Sequence, residues 1–287
     1  MGFRIVSIKN RCKLEYSLNY LVVRSEKETK ICIDEIAVLI VASTEVSLTA
    51  SLLSALMNKN ISVIFCDAKY NPQSQLLPFY GTIDTYKKIF FQIRWDNTLK
   101  GEIWKSIIQK KIENQAKNLF EINEEAHNKL ITYKDEVEIH DNTNREGHSA
   151  KVYFNALFSS SFSRNQDNQI NKFLDYGYSI LLSAINREIK SFGYLTEIGI
   201  HHIGETNPFN LSCDFIEPLR PLVDYYVINK LVDDENFKNV FINMLNLKVR
   251  YRDKELFLEN AIHSYVGGLL TNLRTGSLAV DFIEYEL

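Results

Sequence analysis

Over the first 68 residues the apolar positions fall in short, β-branched, partly alternating runs; beyond about residue 84 they recur with a helical period. FRIVSI, KLEYSLNYLVVRS and KICIDEIAVLIV, with charged residues between them, predict strands. SLTASLLSALMNKN breaks the pattern. Its Leu48, Leu52, Leu53 and Leu56 share one helical face, Ser47 can cap the start, and Asn58 and Asn60 stand near the end. ISVIFCD returns to strand. Residues 69–83, KYNPQSQLLPFYGTI, hold two of the five prolines and one glycine, and read as a linker. Tyr86, Ile89, Phe90, Ile93 and Trp95 open the helical part. IWKSIIQKKIENQAKNLFEIN continues it, with Ile103, Trp104, Ile107, Ile108, Ile112 and Leu119 mostly on one stripe. Further helices are predicted over 146–158, 167–191, about 211–232, about 237–247 and about 252–273. The expected fold is α+β: a small N-terminal β-sheet domain with one helix (1–70), a linker (71–84) and a larger all-α C-terminal domain (85–287).

Composition changes this picture little. The chain has 287 residues, 45% hydrophobic, enough for a proper core in one or two domains. No apolar run approaches a membrane span, and MGFRIVSIKN lacks a signal-peptide hydrophobic region, so a cytoplasmic protein without membrane association is expected. Cys12, Cys32, Cys66 and Cys213 form no CxxC pair and lie in apolar stretches, which predicts buried free thiols rather than disulfides or a zinc site. The net charge of −3 argues against polyanion binding by the whole surface. Locally, Lys87, Lys88, Arg94, Lys100, Lys105, Lys110, Lys111 and Lys117 are opposed only by Asp96, Glu102 and Glu113, and the balance reverses from Glu121 to Glu146. Such a patch suits a protein that holds phosphates and a metal. It also describes the solvated faces of long helices, which charge alone favours.

The stretch HHIGETNPFNLSCDFIEPLRPLVD, residues 201–224, carries the chemistry. Asp214 and Glu217 stand among Phe215, Ile216, Leu219, Leu222 and Val223, where carboxylates are costly unless something pairs with them. Pro218 and Pro221 oppose a regular helix, but a helix begun near Leu211 and kinked at Pro218 keeps both acids on one face. Two carboxylates so close resist joint ionisation unless a cation lies between them. A histidine from the preceding loop would complete an oxygen and nitrogen set suited to Mg²⁺ or Mn²⁺. Glu146 in NREGHSAKVYF and Asp224 are candidates for one further donor. Glu146 opens a predicted helix, where the dipole favours a carboxylate, after the polar loop DNTNREGHS. Each residue also has an ordinary structural role: Glu146 as a surface helix start, His201 or His202 as a hydrogen-bonded histidine, Asp214 as a cap, Glu217 as the partner of Arg220. Spacing alone leaves both readings open.

The blocks NREGHSAKVYF, NKFLDYGYSILLSAINREIKSFGYLTEIGIHHIG and NPFNLSCDFIEPLRPLVD resemble the CRISPR-associated protein one family, in that order and at that spacing. ICIDEIAVLIVASTEVSLTASLLSALMNKNISVIFCD and IIQKKIENQ are also similar to it, so the likeness covers nearly the whole chain. The short length and compact N-terminal region look most like members from type II systems, those that accompany Cas9.

The resemblance implies an integrase-nuclease of CRISPR adaptation. It implies Glu146, His202 and Glu217 as catalytic residues holding Mg²⁺ or Mn²⁺, with Asp214 in a supporting role or as a further ligand. Many relatives have aspartate where this chain has Glu217. Tyr153, Asn207, Arg220 and Lys248 are candidates for DNA or supporting contacts. The 3′-hydroxyl of a prespacer duplex would attack a phosphodiester at the edge of a CRISPR repeat; water in its place would give DNA cleavage. His202 would bind the ion as neutral imidazole, so activity should fall as pH drops through its titration. The implied partners are DNA, a second copy of the chain bound through the β domain, and a dimer of CRISPR-associated protein two, with 87–117 contacting the DNA backbone. Two rivals are a stand-alone metal-dependent nuclease and a catalytically silent DNA-binding scaffold.

Overall fold

The structure, a computed structural model, describes residues 4–68, 72–79 and 84–285. The chain divides into two compact units, Met1–Thr85 with Lys190–Tyr194, and Tyr86–Ile189 with Leu195–Leu287.

Among the described residues the first unit carries eight strands and one α-helix: β1 (Arg4–Ile8), β2 (Cys12–Ser17), β3 (Tyr20–Arg24), β4 (Glu28–Cys32), β5 (Ile36–Val41), β6 (Val46–Leu48), α1 (Ala50–Asn58), β7 (Ser62–Cys66) and β8 (Pro72–Leu76). They form two four-stranded sheets, β1-β5-β7-β8 and β4-β3-β2-β6. β5, IAVLIV, is buried throughout and lies between β1 and β7, both parallel to it, as an unbroken apolar run of this kind requires. Leu14, Leu21, Leu39 and Val63 from the strands, and Ile33 from the short 3₁₀ turn between β4 and β5, pack with Leu52 and Leu56 of α1.

Three details depart from the sequence reading. KLEYSLNYLVVRS is a hairpin, turned at Leu18 and Asn19, whose φ angles are 49° and 66°. Thr49, not Ser47, caps α1, its side chain accepting from Leu52 N at 3.3 Å. Inside the expected linker, Pro72–Leu76 is an edge strand antiparallel to β7; residues 71 and 80–83 lie outside the described residues.

The second unit is mostly helical: α2 (Thr85–Gln92), α3 (Asn97–Leu119), α4 (Glu124–Asp135), α5 (Arg145–Leu157), α6 (Gln169–Ser191), α7 (Asn210–Ile216), α8 (Arg220–Ile228), α9 (Phe237–Met244) and α10 (Leu258–Thr275). α3 is its axis, packed against α4, α5 and α8. The predicted stripe Ile103, Trp104, Ile107, Ile108, Ile112 and Leu119 is fully buried, and the polar Lys110, Lys111, Asn114 and Gln115 are nearly so. A helix buried on several faces must give its polar side chains internal partners, and those partners build the site.

The unit is not purely α-helical. β9 (Lys248–Tyr251), β10 (Lys254–Phe257) and β11 (Ile283–Glu284) form a small sheet in the order β10-β9-β11, and α10 starts at Leu258 rather than near 252. The alternation Lys248, Val249, Arg250, Tyr251, exposed and buried in turn, is a strand signal that falls in the gap between two predicted helices. Among the described residues no helix is long and apolar enough to cross a membrane. The four cysteines are free thiols, Cys66 buried and the others partly exposed.

Candidate active site

The kinked proline segment lies along α3. α7 ends at Ile216, a 3₁₀ turn spans Glu217–Leu219, and α8 begins at Arg220. Prolines 218 and 221 lack the N–H a straight helix would use, so the segment tightens and bends. Asn114 and Asn118 of α3 donate to the carbonyls of Pro218 and Pro221, both at 2.8 Å. One turn earlier on α3, the Lys111 ammonium reaches Glu217. The spacing 111, 114, 118 is one helix face, which grips the bend at three points.

Glu217 is only 3% exposed. Its Oε1 accepts from Arg220 Nε at 2.9 Å, the i+3 pair expected from the sequence. Its Oε2 lies 2.5 Å from Lys111 Nζ, but off the axis of a hydrogen bond, so among the described residues no donor is aligned on that buried oxygen. Burial raises the carboxyl's pKa, yet Arg220 and Lys111 outweigh it and hold the group at about 2. Glu217 is therefore a carboxylate at neutral pH.

Glu146 approaches the same ammonium from α5, with Oε1 2.6 Å from Lys111 Nζ. The start of α5 is fixed by two acceptors. Asp141 takes the N–H of Arg145 at 2.8 Å and of Glu146 at 3.0 Å, and the Asn144 side chain takes that of Gly147 at 3.2 Å. The turn carrying Asp141 passes close to α3 at Gly101, where an added Cβ would stand 2.6 Å from His140 Nε2. Thus the glycine lets the turn in, the turn positions Asp141, and Asp141 positions Glu146.

The two histidines have different roles. The His201 ring stacks on the buried Trp104 of α3, with centroids 4.2 Å apart, and burial lowers its pKa. The His202 ring is edge-on to Trp104 and binds Asp214 Oδ1 through Nδ1 at 2.6 Å. That hydrogen bond raises the pKa of His202 above the usual imidazole value and leaves Nε2 as the ring's remaining donor atom. Asp214, fully buried, also accepts the N–H groups of Ile200 at 2.6 Å, His201 at 3.2 Å and His202 at 3.0 Å. Four donors occupy its two oxygens, so it positions His202 and has no lone pair left for an ion. The loop can wrap this carboxylate because Gly199 has no Cβ; one would stand 2.6 Å from Asp214 Oδ2. Asn210 and Gln92 pin the rest of the loop, through the carbonyls of Glu197 and Gly204 and of Leu195 and Ile198 respectively.

Glu146, His202 and Glu217 thus share one locality. Both glutamates touch one ammonium, and each acts electrostatically on His202. Among the described residues no three His, Cys, Asp or Glu side chains form a ready-made metal cage: Lys111 holds the carboxylates and Asp214 holds the imidazole. The donor chemistry nevertheless fits a hard divalent cation. It offers two carboxylates within reach of one positive centre, an imidazole oriented by a carboxylate, and a buried carboxylate oxygen without an aligned donor. Beside His202 opens a cleft of about 560 Å³, lined in part by Lys100, Glu197, Gly204 and Asn207.

Of the other sequence candidates, Asn207 lines the same cleft, and the rest are held in structural contacts. Asp224 accepts from the Tyr178 hydroxyl in the core, and burial pushes its carboxyl up to about 6. The folded form therefore binds a proton more tightly than an ordinary aspartate. That contribution to stability is complete below about pH 4 and is lost as pH rises through about 6. Asp224→Asn should gain stability relative to the parent over that interval, on the order of 2–3 kcal/mol, in urea melts at pH 4 and 7.5. Tyr153 is fully buried, its hydroxyl bonded by Asn118 at 2.8 Å, so it is a core residue and not a DNA contact. Asn207 takes the N–H of Phe209 at 2.9 Å ahead of α7, and Lys248 pairs with Glu255 at 2.7 Å on the hairpin. The basic stretch is not one surface: Lys110 is buried against Glu113 and Glu284, and Lys111 against Glu146 and Glu217. Sequence reasoning missed Lys111, Trp104, Asn114, Asn118 and Asp141. Polar residues inside the apolar stripe of α3 were the available signal.

The family model described as CRISPR associated protein Cas1 matches residues 5–256. A CRISPR-associated endonuclease Cas1 of Neisseria meningitidis serogroup C is 38% identical over 231 residues, covering 80% of this chain and 76% of that protein. One from Francisella tularensis subsp. novicida is 26% identical, covering 86% and 88%. Among solved structures, a casposase bound to integration product aligns with TM-score 0.77 at 20% identity, covering 98% of this chain and 92% of its own. A Cas6-RT-Cas1–Cas2 complex aligns with TM-score 0.77 at 18% identity, covering 97% and 35%. A Cas1 protein from Thermotoga maritima aligns with TM-score 0.75 at 17% identity, covering 95% and 97%.

Proposed function

The chain belongs to the CRISPR-associated protein Cas1 family, and from that premise we propose that it is a metal-dependent DNA endonuclease and integrase of CRISPR adaptation. In its reaction the 3′-hydroxyl of a short prespacer duplex attacks a phosphodiester at the edge of a CRISPR repeat, forming a new phosphate ester as the 3′-oxygen of the cut strand leaves. Glu146, His202 and Glu217 hold Mg²⁺ or Mn²⁺ and are the catalytic residues. The observation that carries this reading is the approach of Glu146 and Glu217, from helices far apart in sequence, to a single positive centre at 2.6 and 2.5 Å. A divalent cation, when bound there, supplies Lewis acidity toward a phosphoryl oxygen and a lowered pKa for an attacking hydroxyl.

The protein's own groups do the rest. Asp214 fixes the ring of His202 and its tautomer. Arg220 holds Glu217 ionised, and its charge would stabilise negative charge growing on a phosphate bound beside Glu217. The cleft beside His202, with Lys100 on its wall, receives the DNA strand. The reading extends to a homodimer, with the β-sheet unit as its contact, and to a larger complex with a Cas2 dimer. The casposase with its integration product and the Cas1–Cas2 complexes among the similar structures support DNA and Cas2 as partners. Action on the array DNA places it in the cytoplasm.

The test is strand transfer of a labelled duplex into a repeat-bearing plasmid with Mn²⁺, with and without the Cas2 partner. The parent should integrate at repeat edges when Cas2 is present. Glu146→Gln and His202→Ala should each lose at least about a hundredfold in rate while still binding the duplex. Equal strand transfer by the variants would reject these residues as catalytic, and metal-dependent cleavage indifferent to Cas2 and to the repeat would favour the stand-alone nuclease.

A further inference from the structure

We propose that Lys111 is a positioning residue that competes with the divalent cation for Glu146 and Glu217, so that cation and DNA phosphate bind cooperatively. The inference rests on the metal reading above and deepens it. Lys111 is 7% exposed, and its ammonium lies 2.6 Å from Glu146 Oε1 and 2.5 Å from Glu217 Oε2. These are the carboxylates the ion would need. A lysine held this deep between two acids is too well placed to be a surface counter-ion, and its stem comes from α3, which is buried on several faces.

Charge bookkeeping gives the consequence. Lys111 and Arg220 balance Glu146 and Glu217, and Asp214, held by its N–H donors and a neutral His202, leaves the site with about one net negative charge. A dication entering it must draw at least one carboxylate from the ammonium and leaves an excess of positive charge in a poorly hydrated place. An anionic phosphodiester cancels that excess. By linkage, DNA tightens the cation and the cation tightens DNA by the same factor. Lys111 therefore keeps the site weakly loaded until a strand arrives, and it holds the two glutamates in register meanwhile.

The test measures Mn²⁺ affinity by electron paramagnetic resonance of the free ion, on the full chain, with and without a short duplex. Circular dichroism melts serve as the fold control. Lys111→Met should bind Mn²⁺ at least about tenfold more tightly than the parent without DNA, and duplex should tighten the variant less than it tightens the parent. Lys111→Gln, which keeps a polar tip, is read in the same way should the methionine variant fail to fold. Equal or weaker Mn²⁺ binding by the folded Lys111 variants overturns the proposal. Glu217→Gln separates this from failure of the metal reading. Loss of Mn²⁺ binding there with no gain in the Lys111 variants sinks the competition and leaves the metal site standing. Mn²⁺ binding indifferent to both changes, or absent from all the proteins, rejects the metal site and the competition with it.

Discussion

Glu217→Gln should reduce metal-dependent strand transfer by about a thousandfold or more, with duplex binding measured without divalent cation nearly unchanged. The substitution keeps the side-chain volume and the polar reach to Arg220 but removes the negative charge. That charge is the deepest in the site, 3% exposed, and it is ionised at neutral pH because Arg220 and Lys111 overcome its burial. Duplex binding depends mainly on exposed basic residues and phosphates, which this change does not touch. The change also has a cost in stability. Lys111 and Arg220 are left with less negative charge than they had, and breaking a buried pair typically costs about 3–5 kcal/mol. Lys111 retains Glu146, so the lower part of that range is expected. Single-turnover strand transfer, run well below the variant's melting temperature, checks the first expectation. A variant that integrates at the parent rate would show that Glu217 is only a structural partner for Arg220.

Asp214→Ala should be the most destabilising single change in the locality. It leaves the N–H groups of Ile200, His201 and His202 without their acceptor, and each unsatisfied buried donor costs about 1–3 kcal/mol. The loop from Gly199 to His202 then has no reason to keep its wrap. A loss of roughly 3–6 kcal/mol is expected in urea denaturation. Asp214→Asn offers one acceptor but turns an amide toward the remaining donors, so it should recover only part. Because the same carboxylate orients His202, the asparagine variant should also lose about ten- to a hundredfold in metal affinity or rate. Unchanged stability in the alanine variant would mean that water replaces the carboxylate and that the loop is held by Gln92 and Asn210 alone.

Much of this was readable from the chain. The switch from β-branched runs to helical spacing near residue 84 marks where strands give way to helices, and β5 announces itself as six apolar residues in a row. The tension at Asp214, Glu217, Pro218 and Pro221 is also visible: acids in an apolar setting need partners, and prolines in a helix need a bend. The bend is a single 3₁₀ turn, as a kinked helix there requires. What spacing could not give is the partners. Lys111 and Asn114 are about a hundred residues away in sequence, and their role depends on which face of α3 the kinked segment meets. Nor does composition separate His201 from His202, since stacking on Trp104 in one case and a bond to Asp214 in the other are tertiary facts. The basic run 87–117 misleads for the same reason. Linear charge density cannot reveal that Lys110 and Lys111 point inward to acids on α3, α5, the kinked segment and β11.

Anomalous diffraction at the manganese edge, from crystals of the full chain soaked in Mn²⁺ with a short duplex, tests the central claim most directly. The account predicts one strong peak contacted by Glu146, His202 and Glu217, with the Lys111 ammonium withdrawn from at least one carboxylate and Asp214 still bound to the His202 ring. A peak bound by other side chains, or none in crystals that hold the duplex, would contradict it.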